Sequence, residues 1–326
     1  TRSSPLNSMM IRRWNARSWA YLIAMAKELD FTVITEGIET AEQVKFLVEI
    51  GCDIGQGYYF SKPVDLRSFD QLNRTMITTL YRPDEYYPTF EDYERDIEFA
   101  EYSTNLLTNS YFTHENILRQ YGKNALVSYI GVDNKMFAPL NLKRDNYVLS
   151  VGTCIPPKGY DFLIRSISNI PADIRPELVI VGNSSDELWV EYLRTLAEEK
   201  NVELDILTMI SDEELINLYN KAKLVVYAPY LEPFGYVPLE AMACGTPVVG
   251  VKEGGLRESI LHNKTGLLTQ RNEKDFANAI IKLLNDEELW NKLSQTGIKY
   301  IESAWTLEKA GERLLEHMYR ILEEDE

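Results

Sequence analysis

The second half of the chain alternates regularly between short apolar runs and segments in which apolar residues recur at helical spacing. The apolar runs are rich in Val, Leu and Ile, and the helical segments run 275–284, 287–300 and 307–322 near the end. Strand and helix alternating in this way predict an α/β domain in which helices cover both faces of a parallel, doubly wound sheet. The strands are predicted at 147–151, 178–181, 202–207, 224–228, 247–251 and 267–268.

A turn carrying two acids separates the fourth and fifth of these strands. Glu232 and Glu240 lie eight positions apart, and glycine and proline residues punctuate the stretch between them. Ligands of open parallel sheets bind at the carboxyl ends of the strands, where such loops lie. The turn therefore brings backbone N–H groups and carboxylates to one place, which suits the binding of a sugar nucleotide.

Neighbouring strand ends carry further motifs that favour the same kind of ligand. A glycine after the first strand would let a ligand approach the backbone, and a lysine shortly afterwards would offer phosphate a positive charge. Helix N-termini attract anions, so the amides that follow Glu232 are candidates as well, as is the glycine pair after the fifth strand. The residues predicted to bind the ligand are Gly152, Lys158, Glu232, Phe234, Gly235, Tyr236, Glu240, Gly254 and Gly255.

In their joint order, these motifs resemble those of GT-B-fold glycosyltransferases of family 4, over residues from about 95 to 322. The resemblance implies a Rossmann-like C-terminal domain in which Glu240 binds the nucleotide ribose and Glu232 the donor sugar. Lys158 would hold the diphosphate, and Glu232 and Lys158 would be the catalytic residues. The resemblance further implies transfer of a hexose from a UDP- or GDP-linked donor to a glycan or lipid-linked acceptor. Retention of configuration is expected, with no metal or other cofactor.

The sequence departs from this family in two respects. Many members carry an arginine shortly before the lysine, where this chain has Thr153 and Pro157, so Lys158 is the only cation expected beside the acids. Only residues 95–140 resemble the first of the two GT-B domains, and residues 141–326 resemble the second. The family's catalytic-site histidine has no evident counterpart, because His114, His262 and His317 are more consistent with packing or solvent exposure.

The first 75 residues resemble a different family, the EAL domains of cyclic-di-GMP phosphodiesterases. Residues 15–62 follow the order helix, strand, helix, strand, which is about a quarter of a TIM barrel, and a connector follows at 76–94. Glu36 and Gln56 match positions in the EAL site, with Glu36 at the carboxyl end of a predicted strand, 31–35. Other carboxylates of that metal site are missing, so both residues are interpreted as relics, and phosphodiesterase activity is not expected.

Charge and cysteine content exclude several classes of function. A net charge of −16 argues against a nucleic-acid binder, because phosphate backbones attract basic surfaces. The three widely spaced cysteines favour neither a disulfide framework nor a zinc site, so a reducing cytoplasm is expected. No apolar run is long enough to span a membrane, although peripheral membrane contact is compatible with the sequence. Three interpretations remain open: a glycosyltransferase, a regulatory module that binds cyclic-di-GMP or a partner, and a non-functional fusion. The fusion could be a truncated and fused reading frame or a chimera.

Overall fold

The structure is a computed structural model that describes residues 105–183 and 186–324, together with three strands nearer the N-terminus. Contacts divide the chain into two units. The first comprises residues 1–108, 114–128 and 316–326, and the second comprises residues 109–113 and 129–315. The last helix is thus shared between the units, with residues up to Leu315 in the second and those from Glu316 in the first.

The first unit contains two small parallel sheets. Strands β1 (Ser8–Arg12), β2 (Thr32–Glu36) and β3 (Ile54–Gly55) form one of them, with Ser8 opposite Thr32 and Ile34 opposite Ile54. The predicted strand 31–35 corresponds to β2, so Glu36 is the last residue of a strand. Several predicted features lie outside the described residues: the helices before and after β2, the strand that ends the predicted order over 15–62, expected at 58–60, and Gln56. The strand β3 was not predicted.

A second parallel pair follows in the same unit. Strands β4 (Leu106–Thr108) and β5 (Ala125–Val127) pair with Leu106 opposite Ala125. Helix α1 (Tyr111–Tyr121) connects them, and Gly122 ends it with a φ of 64°, a left-handed conformation that favours glycine.

The second unit is built on a six-stranded parallel sheet. Its strands are β6 (Tyr147–Val151), β7 (Glu177–Gly182), β8 (Leu204–Thr208), β9 (Leu224–Tyr227), β10 (Val248–Val251) and β11 (Gly266–Thr269). They lie in the order β8-β7-β6-β9-β10-β11, the 3-2-1-4-5-6 order of a doubly wound nucleotide-binding sheet. The predicted α/β class is confirmed, and each predicted strand is present with its ends shifted by no more than two residues.

Helices join the strands and extend beyond the last one. They are α2 (Tyr160–Ser168), α3 (Glu187–Lys200), α4 (Asp212–Lys221), α5 (Tyr236–Ala243), α6 (Leu256–Ser259), α7 (Glu273–Asn285), α8 (Glu287–Ala304) and α9 (Leu307–Glu324). Polar side chains begin several of them. Ser211 and Glu214 form a capping box at the start of α4, in which each side chain accepts from the other residue's amide.

The core lies on both faces of the large sheet. Every residue of β6, β9 and β10 is buried, as expected when helices cover both sides of parallel strands. Large side chains from the covering helices complete it, among them Tyr160, Leu163 and Phe276, which are at most 1% exposed. The sheet is therefore a rigid support for the loops at the carboxyl ends of its strands.

Candidate functional site at the carboxyl edge of the sheet

Strands β6 and β9 lie side by side at the point where the strand order reverses. In doubly wound sheets, the crevice beside this switch point is the ligand-binding position. The loop after β6 contains a 3₁₀ turn, Pro156–Lys158, and the loop after β9 contains Glu232. The fold thus delivers two of the predicted site residues to one crevice.

The side chains of Lys158 and Glu232 form an ion pair, with 3.0 Å between Nζ and Oε2. Backbone contacts bring the two loops together, since the amide of Tyr230 donates to the carbonyl of Pro157 at 2.9 Å. Gly159 has a φ of 69° and packs so closely on the carbonyl oxygen of Ala228 that a Cβ atom would collide with it. A glycine is therefore required beside Lys158 for both loop conformation and packing.

Glu240 lies on α5, eight residues after Glu232, and accepts a hydrogen bond from a buried tyrosine. The hydroxyl of Tyr219 donates to Glu240 Oε2 at 2.6 Å, and the Tyr219 side chain is fully buried. Burial, together with the negative charge of Glu240, raises the pKa of Tyr219 well above its usual value. The phenol therefore stays protonated and holds the carboxylate in a fixed orientation.

The turn between the two acids is anchored by an aromatic side chain. Phe234 is 3% exposed, and its ring centroid lies 5.5 Å from that of Trp305 and 6.1 Å from that of Tyr129. Gly235, at the N-cap of α5, has a φ of 91°, and Tyr236 donates its hydroxyl to the carbonyl of Gly131 at 2.6 Å. The side chain of Phe234 thus fixes the turn, and any role in ligand binding falls to the backbone.

The remaining predicted glycines are packed against the protein itself. The amide of Gly152 donates to the carbonyl of Val181 at 2.8 Å. Gly254 and Gly255 lie beneath the turn, where the Gly255 amide donates to the carbonyl of Glu232 at 2.8 Å and a Cβ on Gly254 would collide with that same oxygen. These three glycines shape the site by leaving room for the loops.

A cation that was not predicted, Arg271, lies beside the residue that follows Lys158. Nη1 of Arg271 lies 3.4 Å from the position that a Cβ on Gly159 would occupy. Its guanidinium pairs with Glu253, with 2.6 Å between Nη2 and Oε2, and donates to the carbonyls of Ala228 and Pro229. Since Arg271 follows β11 by two residues, its position at a strand end was the signal that could have revealed it.

The histidines and cysteines of the described residues have structural surroundings. His114 Nδ1 lies 2.7 Å from the carbonyl of Ala125, and His317 Nε2 lies 3.0 Å from that of Val127. His262 Nδ1 accepts from the amide of Leu268 at 2.9 Å. Burial raises the pKa of Cys154 to about 11 and that of Cys244 to about 12, which suppresses the reactive thiolate.

Among the described residues, no three His, Cys, Asp or Glu side chains are grouped so that they could hold a metal ion. None of the described helices combines the length and apolar character needed to cross a membrane. A cavity of about 450 Å³ lies along one helix, α3, and is lined by Glu187, Val190, Glu191, Arg194, Thr195 and Glu198, none of them a predicted site residue.

The strand order defines an α/β protein of the Rossmann-like class. The chain belongs to the family described as glycosyl transferases group 1, whose model matches residues 132–300. A second family model, the EAL domain, matches residues 11–63, which is in keeping with the predicted resemblance of the N-terminal segment.

Curated relatives agree with this assignment. The chain is 30% identical over 214 residues to a putative glycosyltransferase, YtcC, of Bacillus subtilis, covering 58% of this chain and 52% of that protein. It is 38% identical over 157 residues to a D-inositol 3-phosphate glycosyltransferase of Corynebacterium jeikeium, covering 45% of this chain and 37% of that protein. The chain therefore spans about half the length of the curated relatives it matches, or less.

Solved structures share the fold at low sequence identity. The Anabaena protein HepE in complex with UDP-glucose has a TM-score of 0.72 at 16% identity, with 96% of this chain and 99% of that chain covered. A sucrose-phosphate synthase from Thermosynechococcus elongatus has a TM-score of 0.65 at 22% identity, with 94% and 78% covered. These likenesses establish the GT-B type of fold.

Proposed function

We propose that this chain binds a nucleoside-diphosphate sugar at the switch point of its large sheet and transfers the hexose, with retention, to a glycan or lipid-linked acceptor. Lys158 would hold the diphosphate, Glu232 the hydroxyls of the sugar, and Glu240 those of the ribose. UDP and GDP are the candidate nucleotides, and no metal or other cofactor is part of the proposal.

The ion pair between Lys158 and Glu232 is the observation that carries this proposal. The two side chains come from different loops and are 20% and 12% exposed, so their charges meet in a largely shielded crevice. A shielded ammonium is a favourable partner for a diphosphate, and a carboxylate beside it can accept hydrogen bonds from sugar hydroxyls. Both groups are held by the backbone contacts that tie the loops together.

The reaction would depend on the charge that develops as the sugar leaves the nucleotide. Breaking the glycosidic bond to the diphosphate leaves negative charge on the departing phosphate oxygens. A fixed ammonium at Lys158 stabilises that charge without reorganising in the transition state. The N-terminus of α5, whose N-cap is a glycine without a capping side chain, offers positive helix-dipole character beside the same turn.

Donor binding is the step expected from this chain alone. Only residues 95–140 resemble the first GT-B domain, and the chain spans about half of the relatives it matches. Positioning of the acceptor contributes much of the rate enhancement in group transfer, so donor binding and transfer are tested as separate steps.

Calorimetry of the full chain with UDP, GDP and cyclic-di-GMP tests the proposal. We expect heat of binding with UDP or GDP at micromolar affinity, and loss of it in Glu240→Ala. An exposed acid on α8 provides the matched control, since Glu302→Ala removes the same charge outside the turn. Equal affinities in Glu302→Ala and the unaltered chain would assign the loss to the site.

The alternative class, a regulatory module, has one observation in its favour, the match of residues 11–63 to the EAL domain. Binding of cyclic-di-GMP without binding of UDP or GDP would overturn the glycosyltransferase proposal in favour of that module. Binding of none of the three nucleotides would also overturn it and would favour a fusion without activity.

A further inference from the structure

Glu258, on the short helix α6, caps the N-terminus of a helix that lies far away in the sequence. Its Oε2 atom accepts from the amide of Tyr111 at 2.8 Å, and its Oε1 atom accepts from the amide of Phe112 at 2.9 Å. These are the first two residues of α1, whose amides have no partners within the helix. The third amide of the helix, that of Thr113, donates to the hydroxyl oxygen of Ser110 at 3.0 Å.

A third donor fixes the orientation of the same carboxylate. The hydroxyl of Tyr129 donates to Glu258 Oε2 at 2.9 Å. Burial first, and then the hydrogen bond to Glu258, raises the pKa of Tyr129 well above its usual range, so the phenol remains a donor. The Tyr129 ring also packs on Trp305, with 5.0 Å between centroids, which ties the carboxylate to the aromatic residues behind the turn.

The two elements joined by Glu258 also hold the turn that carries Glu232. On one side, the fully buried Ser110 donates its hydroxyl to the carbonyl of Pro233 at 2.6 Å. On the other side, the amide of Gly255, the N-cap of α6, donates to the carbonyl of Glu232 at 2.8 Å. The carbonyls of two successive turn residues are therefore bonded to two different elements, and Glu258 fastens those elements to each other.

We infer that Glu258 is a positioning residue for the sugar-contacting turn. By clamping the start of α1 to α6, it keeps Ser110 and Gly255 at the spacing that fixes the backbone of Glu232 and Pro233. Glu258 itself touches no ligand in this scheme. The inference rests on the proposed function only in taking a donor sugar as the ligand of the turn. The coupling between Glu258 and the turn is supported by the hydrogen bonds alone.

Hydrogen exchange of the unliganded protein tests the coupling directly. In Glu258→Gln, one of the two acceptor oxygens of the carboxylate is replaced by an amide nitrogen, which cannot accept a hydrogen bond. The donors that bind two oxygens in the unaltered chain must then share one. We expect the amides of residues 229–236 to exchange at least about tenfold faster than in the unaltered chain. Ser110→Ala removes the hydrogen bond to Pro233 and should accelerate exchange of the same amides. This variant tests the coupling if Glu258→Gln proves too unstable to purify.

A cap on a different helix separates positioning from a general loss of stability. Ser211→Ala removes the capping box of α4, and its effect on exchange in 229–236 is the reference for destabilisation alone. The inference is wrong if the turn in Glu258→Gln exchanges no faster than in Ser211→Ala while only residues 111–113 lose protection. This result needs no nucleotide, so it stands even if the unaltered chain binds none and the proposed function fails.

Affinity measurements decide whether the positioning serves the donor sugar. Glu258→Gln should weaken binding of UDP-glucose or GDP-mannose by about tenfold, and binding of the corresponding nucleoside diphosphate by much less. Equal losses for the sugar nucleotide and the diphosphate would contradict a role at the sugar-contacting residue.

Discussion

The Nζ atom of Lys158 and the Oε2 atom of Glu232 lie 3.0 Å apart, although 74 positions separate the two residues in the chain. Each side chain neutralises the charge of the other. Under the proposed function, a diphosphate that binds Lys158 would compete with Glu232, and the pair would distinguish a ligand that carries a sugar from one that does not.

Replacement of each partner should change the affinities for UDP and for a UDP-sugar differently. Glu232→Ala should weaken the UDP-sugar by roughly tenfold to a hundredfold, the scale of a hydrogen bond to a charged group, because the sugar loses its acceptor. The same variant should leave UDP binding unchanged or stronger, since Lys158 no longer has a competitor. Lys158→Ala should weaken both ligands, and calorimetry at constant ionic strength measures all four affinities.

Two outcomes would contradict the assignment of roles. If Glu232→Ala weakened UDP as much as the UDP-sugar, the acid would not be acting on the sugar. If Lys158→Ala left UDP affinity unchanged at low ionic strength, where electrostatic contributions are largest, the lysine would not be the phosphate ligand.

Strand and helix positions could be predicted from the sequence because each follows from local spacing. The run of buried residues in β6 and the Ser211–Glu214 capping box are complete within a few positions. The fold class predicted that Lys158 and Glu232 lie at the same edge of the sheet, because a doubly wound sheet places the ends of its parallel strands there. It did not predict that their side chains form an ion pair.

Contacts that depend on packing between distant elements could not be predicted in this way. Tyr219 lies on α4, outside every motif, and reaches Glu240 only because two helices pack at a particular angle and distance. Glu258 caps a helix whose first residue lies 147 positions earlier in the chain, a contact that no local pattern indicates. Arg271 stands just after a strand end, which marks it as a candidate, but nothing in the sequence around it indicates which loop it will meet.

Removal of the Tyr219 hydroxyl should weaken nucleotide binding as well as stability. Tyr219→Phe leaves a carboxylate oxygen of Glu240 without its 2.6 Å donor, and we expect a loss of about 1–3 kcal/mol in the free energy of unfolding. Because Glu240 is proposed to contact the ribose, affinity for UDP should fall severalfold as the carboxylate loses its orientation. Urea unfolding and calorimetry measure the two effects.

Tyr147→Phe is the matched control for this variant. Its hydroxyl donates to the carbonyl of Leu218, the residue before Tyr219, at 2.7 Å, and the residue is 8% exposed. A comparable hydrogen bond is thus lost while the bond from Tyr219 to Glu240 is kept. Both variants should lose stability, and only Tyr219→Phe should lose affinity. Loss of affinity in both would indicate a global effect.

A methyl group at Gly159 should disrupt the approach of the two loops. Gly159→Ala adds a Cβ that would collide with the carbonyl oxygen of Ala228, at a φ of 69° that disfavours alanine. We expect a loss of at least about 2 kcal/mol in unfolding free energy, since steric and backbone strain act together. Gly311→Ala, in α9, meets no atom within 4 Å and should instead stabilise the protein by about 1 kcal/mol. Thermal and urea unfolding of both variants provide the comparison.

Alkaline pH should destabilise the protein through groups that are buried in their neutral forms. The pKa of Cys154 is raised from 9.0 to about 11 and that of Cys244 from 9.0 to about 12, in both cases mainly by burial. A group whose pKa is higher in the folded state binds its proton more tightly there, so its contribution to stability is complete below about pH 9 and is lost as pH rises toward the folded pKa.

Urea unfolding between neutral pH and about pH 11 should therefore show a falling free energy of unfolding above about pH 9. In a chain carrying Cys154→Ala and Cys244→Ala the decline should be shallower, with the remainder due to buried tyrosines such as Tyr147 and Tyr219, whose pKa values are also raised. An identical decline with and without the two cysteines would show that their thiols do not ionise on unfolding in this range.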